Sequence, residues 1–332
     1  MDTNRLLKQI LSGLHKFNDE ELAEVYLHTQ KTYSEREFEN EATKNPKVIE
    51  TIDLKPLVEE MRRKRQEGLL EGISTGYPTL DKRTGGWRGN ELITIVGGSG
   101  VGKTRFAMNV VQNMAIKGIP IAFVSLELSN AQITDRLETM CQSTYMQDQN
   151  GAQPDAYSLP FHLMPSEYRT PGLMKSWVYH VVQNLGVKVI VFDHLSYMPP
   201  LADEDLDNQK LWCMQLRNWV TELDVTAVLL HHFNKGGATR KKAGQGSGDI
   251  SGSQKIHDLS DQVYLLHRKI HDPKDWKFVT CLVDKVRNGG KLGTEVFEQD
   301  EWHKLLPADS RQAEKIISKS EAEDVFGAIR EG

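Results

Sequence analysis

Eight consecutive residues, Gly97-Gly98-Ser99-Gly100-Val101-Gly102-Lys103-Thr104, have the types and spacing to hold a chain of phosphates. They fit G-x-x-x-x-G-K-[ST], in which the glycines let backbone N–H groups turn inward around the anion. A helix that starts where the loop ends adds the partial positive charge of its N-terminus. Lys103 would reach the outer phosphates of ATP or another nucleoside triphosphate, and the Thr104 hydroxyl would ligate Mg²⁺. The flanks suit this chemistry: an apolar run, ELITIV, precedes the loop, and a helical stretch, RFAMNVVQNMAIKG, follows it.

A second acid must help to hold such a metal. Asp193 ends the apolar run Val187-Lys188-Val189-Ile190-Val191-Phe192. Taken alone, an aspartate there is more often a turn residue; the loop at 97–104 makes it a candidate ligand. Hydrolysis also needs a group that orients or deprotonates water. Glu127, in Ser125-Leu126-Glu127-Leu128-Ser129, ends the next apolar run, at the edge where α/β sheets bind ligands. Its alternative is a helix-capping acid beside Ser129. His194, His231 and His232 show no carboxylate or thiolate partner at ligand spacing, so no zinc site is expected.

These side chains need a scaffold. From about residue 74, short apolar runs alternate with helical patterns, the texture of a mostly parallel sheet with flanking helices. Candidate strands are ELITIV, IPIAFVSL, VKVIVF, VTAVLL and DQVYLL. KFVTCLVDKV and TEVFEQ flank Gly289-Gly290 and predict an antiparallel hairpin at the sheet edge. The expected organisation is a short helical region and linker over 1–54, a charged linker helix over 55–72, an α/β core over 73–308 and a polar tail over 309–332. With 332 residues, 39% of them hydrophobic, a substantial core can form. No apolar run approaches the roughly 18 residues of a membrane span, and MDTNRLLKQI lacks a signal-peptide pattern; a cytoplasmic address is expected, with no membrane partner. Cys141, Cys213 and Cys281 lie far apart without a CxxC pair and are expected to be buried fillers.

A net charge of −5 argues that any nucleic-acid contact is local. Residues 233–248, FNKGGATRKKAGQGSG, could supply it, because Asn234, Lys235, Arg240, Lys241 and Lys242 stand among glycines with no acid. Such a loop suits the backbone phosphates of a single strand, with sequence-tolerant, salt-sensitive binding; a solvated charge run is the alternative.

Together these segments resemble the RecA-like hexameric replicative helicases: the DnaB type, the phage primase-helicases and the mitochondrial Twinkle helicase. The resemblance runs from about residue 67 to 305. It opens at Glu67-Gly68-Leu69-Leu70 and at Ser74-Thr75-Gly76-Tyr77-Pro78-Thr79-Leu80-Asp81-Lys82-Arg83-Thr84-Gly85-Gly86. Ser125 to Ser129 resembles the strand with the catalytic glutamate, and Asp193-His194-Leu195-Ser196 the Walker B end of the phage and mitochondrial branch. In Leu230-His231-His232-Phe233-Asn234-Lys235, His232 falls on the γ-phosphate sensor position. Lys285-Val286-Arg287-Asn288-Gly289 resembles the K-x-R-x-G segment, whose basic pair reaches the ATP of the neighbouring subunit; Arg287 would be the arginine finger. The resemblance implies a RecA-like P-loop fold and a homo-oligomer, with a hexamer expected. It also implies ATP hydrolysis with Mg²⁺ that drives translocation on single-stranded DNA and duplex unwinding, and a separate primase or polymerase as partner.

Two departures limit the transfer. Asp249-Ile250-Ser251-Gly252-Ser253-Gln254-Lys255-Ile256-His257-Asp258-Leu259-Ser260-Asp261 resembles the D-L-R-G-S-G-A-L-R-Q-L-S-D segment of the phage helicases. Ser251 and His257 replace its arginines, and Lys255 or the basic loop is the candidate substitute for their DNA contacts. Residues 1–54 are also too short for a primase, so no priming activity is expected. A phage origin, with action in the host cytoplasm, is the expected setting. The competing readings are a recombinase or KaiC-like ATPase that shares the fold without unwinding, and a regulatory or loading ATPase that does not bind DNA.

Overall fold

A computed structural model of the chain describes residues 53–67, 72–145, 151–201, 208–232, 254–269 and 275–318. The region before residue 53 therefore lies outside the described residues, as do Gly68, Leu69 and Leu70. One compact unit ends at Arg63 and carries most of helix α1 (Leu54–Gln66), where the Asp53 carboxylate accepts the Lys55 N–H at 3.0 Å and Glu60 pairs with Arg63 at 2.8 Å. The second unit, from Lys64 onward, is built on one sheet.

That sheet has nine strands in the order β3-β2-β4-β5-β1-β6-β7-β8-β9. They are β1 (Leu92–Gly97), β2 (Ile121–Ser125), β3 (Phe161–Leu163), β4 (Val189–Asp193), β5 (Thr226–His232), β6 (Gln262–His267), β7 (Phe278–Val286), β8 (Gly293–Gln299) and β9 (Leu305–Pro307). The first six run parallel, and β7, β8 and β9 continue the sheet antiparallel. The expected hairpin is therefore β7–β8, with a correction: it is not the edge, because β9 pairs with β8 beyond it. Strand β3, on the opposite edge, was not expected either; three half-buried residues, Phe-His-Leu, carry no periodic signal.

The central strands are buried on both faces, which is why they read as continuous apolar runs. Alternate residues divide between two cores. Ile93, Ile95, Val189, Val191, Val228 and Leu230 face α3 (Lys103–Ile116) and α4 (Asn130–Cys141), together with Phe106, Val110, Met114 and Ile133. Ile190, Phe192, Ala227 and Leu229 face α5 (Pro171–Leu185) and α6 (Asn208–Leu223), together with Met174, Trp177, Trp212 and Trp219. Cys141, Cys213 and Cys281 are buried and free.

Two short helices complete the frame. Helix α2 (Pro78–Thr84) precedes β1, and α7 (Gln254–Leu259) precedes β6. A further helical stretch covers 310–318, within the segment expected to be a polar tail. Among the described residues no helix is long and apolar enough to cross a membrane.

Candidate nucleotide site

Four parallel strands end side by side and bring the candidate residues together. Gly97 of β1 lies in register with His232 of β5, and Ser125 of β2 with Asp193 of β4. Since β5 stands between β1 and β4, the loop that leaves β1 faces the tips of β5 and β4, the edge at which open α/β sheets bind ligands. The turn needs its glycines at two points. A Cβ on Gly97 would lie 2.7 Å from Val101 Cγ2 and 2.9 Å from the Leu266 carbonyl, and Gly102, the residue before α3, has φ of 101°.

Lys103 opens α3 and folds back over the loop. Its ammonium donates to the carbonyls of Gly97 at 3.1 Å and Gly98 at 2.9 Å, and lies 2.9 Å from His232 Nδ1. Burial lowers its pKa to about 8, against the opposing pull of Asp193 and Glu127. The Thr104 hydroxyl donates to Asp193 Oδ2 at 2.7 Å. Asp193 is fully buried, and burial raises its pKa to about 6 despite that hydrogen bond. Its other oxygen, Oδ1, is buried with no hydrogen-bond partner among the described residues. A hydroxyl and a carboxylate with a free oxygen form the hard oxygen donor set that Mg²⁺ takes alongside phosphate oxygens.

Glu127 follows β2 and lies half exposed in the same cleft, which Ser99, Gly100, Arg105 and Arg136 also line. It is not a helix cap. Ser129 caps α4 in a reciprocal capping box with Gln132, so the carboxylate of Glu127 is left to the cleft.

The histidines correct an expectation. The sequence shows no acid near them, yet Glu127 comes from a separate strand to lie 3.6 Å from His194, and Glu127, His194 and His232 turn their ligand atoms toward one another. The hydrogen bonding nonetheless argues against zinc. The Ser196 N–H donates to His194 Nδ1 at 3.2 Å, so the proton of neutral His194 sits on Nε2, which a metal would need bare. His194 is neutral because burial, then His232 and Lys103, lower its pKa to about 4. Its Nε2 lies 3.0 Å from His232 Nε2. Neutral His232 carries one ring proton, so either its contact with His194 or its contact with the Lys103 ammonium sets two donors face to face. An incoming phosphoryl oxygen would relieve that mismatch by accepting from Lys103.

Three arginines escaped the sequence reading. Arg105 and Arg268 both donate to Gln299 Oε1, at 2.6 and 3.0 Å, and Arg136 lies close enough to act on Arg105. The pKa of Arg105 falls to about 10 through burial and then through the charges of Arg268 and Arg136. None of the three forms an ion pair among the described residues. The only local signal for any of them was the position of Arg105 directly after Lys103-Thr104.

Lys285 and Arg287 do not join this cleft. Strand β7 runs antiparallel to β6, with Val286 beside Gln262, whereas Gly97 lies beside Leu266. The basic pair is thus displaced by three to five residues, roughly 10–16 Å along the strands, toward the opposite end of the sheet. There Arg287 donates to Asp261 Oδ1 at 3.1 Å and to the Asp258 carbonyl at 2.6 Å. Lys285 donates to the carbonyls of His257 at 2.6 Å and Asp258 at 3.2 Å; burial, then Arg287, lowers its pKa. His257, at the position of a relative's arginine, lies 3.3 Å from Asp284 instead. Asn234, Lys235, Arg240, Lys241, Lys242 and Ser251 lie outside the described residues, and Lys255 falls within α7.

Comparison with known proteins places this geometry. The family model described as DnaB-like helicase C terminal domain matches residues 72–305. The replicative DNA helicase DnaB of Buchnera aphidicola subsp. Schizaphis graminum is 25% identical over 283 residues, 79% of this chain and 60% of that protein. The chain therefore spans less than two thirds of that relative's length. The replicative DNA helicase DnaB of Treponema pallidum is 27% identical over 272 residues, 76% of this chain and 58% of that protein. Among solved structures, a DnaB-like replicative helicase described with its interactions with primase superposes with a TM-score of 0.67 at 17% identity, over 86% of this chain and 74% of that one. A separately solved ATPase domain gives the same TM-score of 0.67 at 17% identity, over 78% of this chain and all of that one. Those two likenesses establish the RecA-like fold.

Proposed function

The chain belongs to the DnaB-like helicase C-terminal domain family, and on that premise we propose that it is a ring-shaped motor, a hexamer, that couples ATP hydrolysis to translocation on single-stranded DNA and so unwinds duplex. The observation that carries the reading is the division of the machinery between two ends of one sheet. Lys103, Thr104, Asp193, Glu127 and His232 gather at one end, and the pair that resembles an arginine finger stands at the other. A copy of this chain can complete its site only by borrowing Arg287 and Lys285 from a neighbour, and head-to-tail contacts of that kind close into rings.

The roles follow from the chemistry of each group. The cradle from Gly97 to Gly102 would hold the phosphates by its N–H groups, and Lys103 would leave its carbonyl partners for the outer phosphates. Mg²⁺, held by Thr104 and Asp193, would neutralise charge on the phosphates when bound. Glu127 orients the attacking water and accepts its proton. His232, whose Nδ1 lies 2.9 Å from the Lys103 ammonium, responds to the γ-phosphate, with His194 packed behind it. Arg136, Arg105 and Arg268 surround the cleft with positive charge suited to a polyanion.

Residues 233–248, which follow β5 in the chain, and Lys255 of α7 are proposed to meet the phosphates of the DNA strand. A separate primase or polymerase is the proposed protein partner, and the host cytoplasm of a phage-infected cell the proposed setting. The test is steady-state ATP hydrolysis with and without single-stranded DNA for the wild type, Lys103→Ala and Arg287→Ala, with subunit number from mass photometry. Stimulation by DNA that both variants lose, while Arg287→Ala still binds nucleotide and assembles, is the expected outcome. Hydrolysis indifferent to DNA would favour a regulatory ATPase, and filaments without unwinding would favour a recombinase-like protein.

A further inference from the structure

Arg287 is held unusually firmly for a residue that must reach another molecule. Its backbone N–H donates to the Asp261 carbonyl at 2.8 Å, and its guanidinium to the Asp261 carboxylate. The next residue, Asn288, donates to Glu91 Oε1 at 2.7 Å, and Glu91 is itself buried and takes a second hydrogen bond from Gln262 at 2.7 Å. The base of the finger is therefore bolted to the starts of β1 and β6.

Asp261 is the hub. It is buried, accepts the Leu92 N–H at 2.9 Å on Oδ2, and returns its own N–H to the Leu92 carbonyl at 2.7 Å. Arg217, from α6, makes a close ion pair with the same Oδ2. Arg217 and the Leu92 N–H both meet Oδ2, which leaves Oδ1 of this buried carboxylate to be satisfied. Arg287 occupies that oxygen, with its side chain 45% exposed. Only two of its five N–H donors are engaged by Asp261 and Asp258, and the rest remain for a ligand outside the fold.

We propose that Asp261 is a positioning residue for the arginine finger: its carboxylate holds the Arg287 guanidinium at the angle from which it meets the neighbouring copy's phosphates. Arg217 fixes the carboxylate from the opposite side, so that the aim of the finger is set by a two-arginine clamp on one buried acid. This inference rests on the shared-site reading above.

The test uses mixed assemblies of full-length chains. Asp261→Asn keeps the shape and an oxygen for the Leu92 N–H, and is expected to lower kcat about a hundredfold, the order associated with a misplacement of about 1 Å, with KM for ATP within about twofold. Mixed with Lys103→Ala, it should regain activity, because an intact cradle from one variant then meets a correctly aimed finger from the other. In an equimolar mixture this occurs at about a quarter of the head-to-tail interfaces. Asp261→Glu, which keeps the charge but moves it by one methylene, should behave alike and carries the test if the amide variant is insoluble. Arg287→Ala mixed with Lys103→Ala is the control. Recovery in the control without recovery for Asp261→Asn or Asp261→Glu would overturn the positioning role and leave the shared site standing, as would full activity of either variant alone. No recovery in the control would overturn the shared site itself.

Discussion

Lys304 offers the sharpest test of the physical reading, because it is a buried amine with no ion pair among the described residues. It lies 3% exposed between β8 and β9, and among the described residues its ammonium donates to the Asn113 side-chain oxygen, at 2.5 Å. Burial lowers its pKa from 10.5 to about 7, with weaker opposing pulls from Cys141 and Asp300. A difference of three to four pH units corresponds to about 5 kcal/mol of destabilisation whenever the side chain is charged in both states. Lys304→Met removes that cost and leaves the Asn113 oxygen short of a donor, which costs about 1–3 kcal/mol. The net expectation at pH 7 is a gain of about 2–4 kcal/mol, or a Tm higher by roughly 5–15 °C. The pH dependence has a definite sign. Between about 7 and 10 the unfolded chain keeps the lysine proton and the folded chain does not, so wild-type stability rises with pH across that window. The advantage of the variant should therefore shrink from pH 7 to pH 10. Urea denaturation of both proteins at several pH values in that window measures it. A variant no more stable at pH 7, or a gap constant up to pH 10, would show that the ammonium is solvated or paired in a way this packing does not allow.

Three further outcomes follow from the cleft. Glu127→Gln should lower single-turnover hydrolysis about 10²- to 10⁴-fold while nucleotide affinity, followed by equilibrium titration, stays near wild type. Asp193→Asn should abolish the dependence of hydrolysis on Mg²⁺ concentration by removing most of the activity, with no loss of Tm in the nucleotide-free chain, because burial already disfavours its charged form. Arg136→Ala should weaken nucleotide binding and flatten its salt dependence, since its guanidinium lines the cleft beside Lys103 and Arg105; an unchanged salt slope would remove it from the site.

What the sequence made legible follows from how locally each feature is encoded. The cradle is one contiguous segment whose glycines answer local backbone demands, and Asp193 and Glu127 sit where apolar runs end, so strand-tip logic finds them. The central strands announced themselves through burial on both faces, whereas β3 and β9 are three-residue strands whose pairing is decided by neighbours. The His194 relay was beyond reach for a different reason. It needs Glu127 from the tip of β2, His194 after β4 and His232 from β5, and their proximity is set by the strand order β2-β4-β5 rather than by any spacing along the chain.

Lys285 and Arg287 carry that point furthest. Their pattern in the sequence suggested a role at a phosphate, but only the antiparallel pairing of β7 with β6 puts them at the end of the sheet remote from Lys103. Had β7 run parallel to β6, its last residues would have ended beside the cradle and the same two cations could have served their own nucleotide. The reversal sends them outward instead. The buried acids that hold Arg287 and its neighbour Asn288, Asp261 and Glu91, lie at the strand starts, where a sequence reading has no reason to look for chemistry. In a shared-site motor the two ends of the sheet must both be rigid: one holds a nucleotide, the other aims a charge at a nucleotide held elsewhere. The hydrogen bonds that fix Asp261 to Leu92 and Asn288 to Glu91 supply that rigidity through β1, the strand whose other end becomes the cradle. A shift of β1 on phosphate release would therefore move the cradle of one site and the finger of the next together.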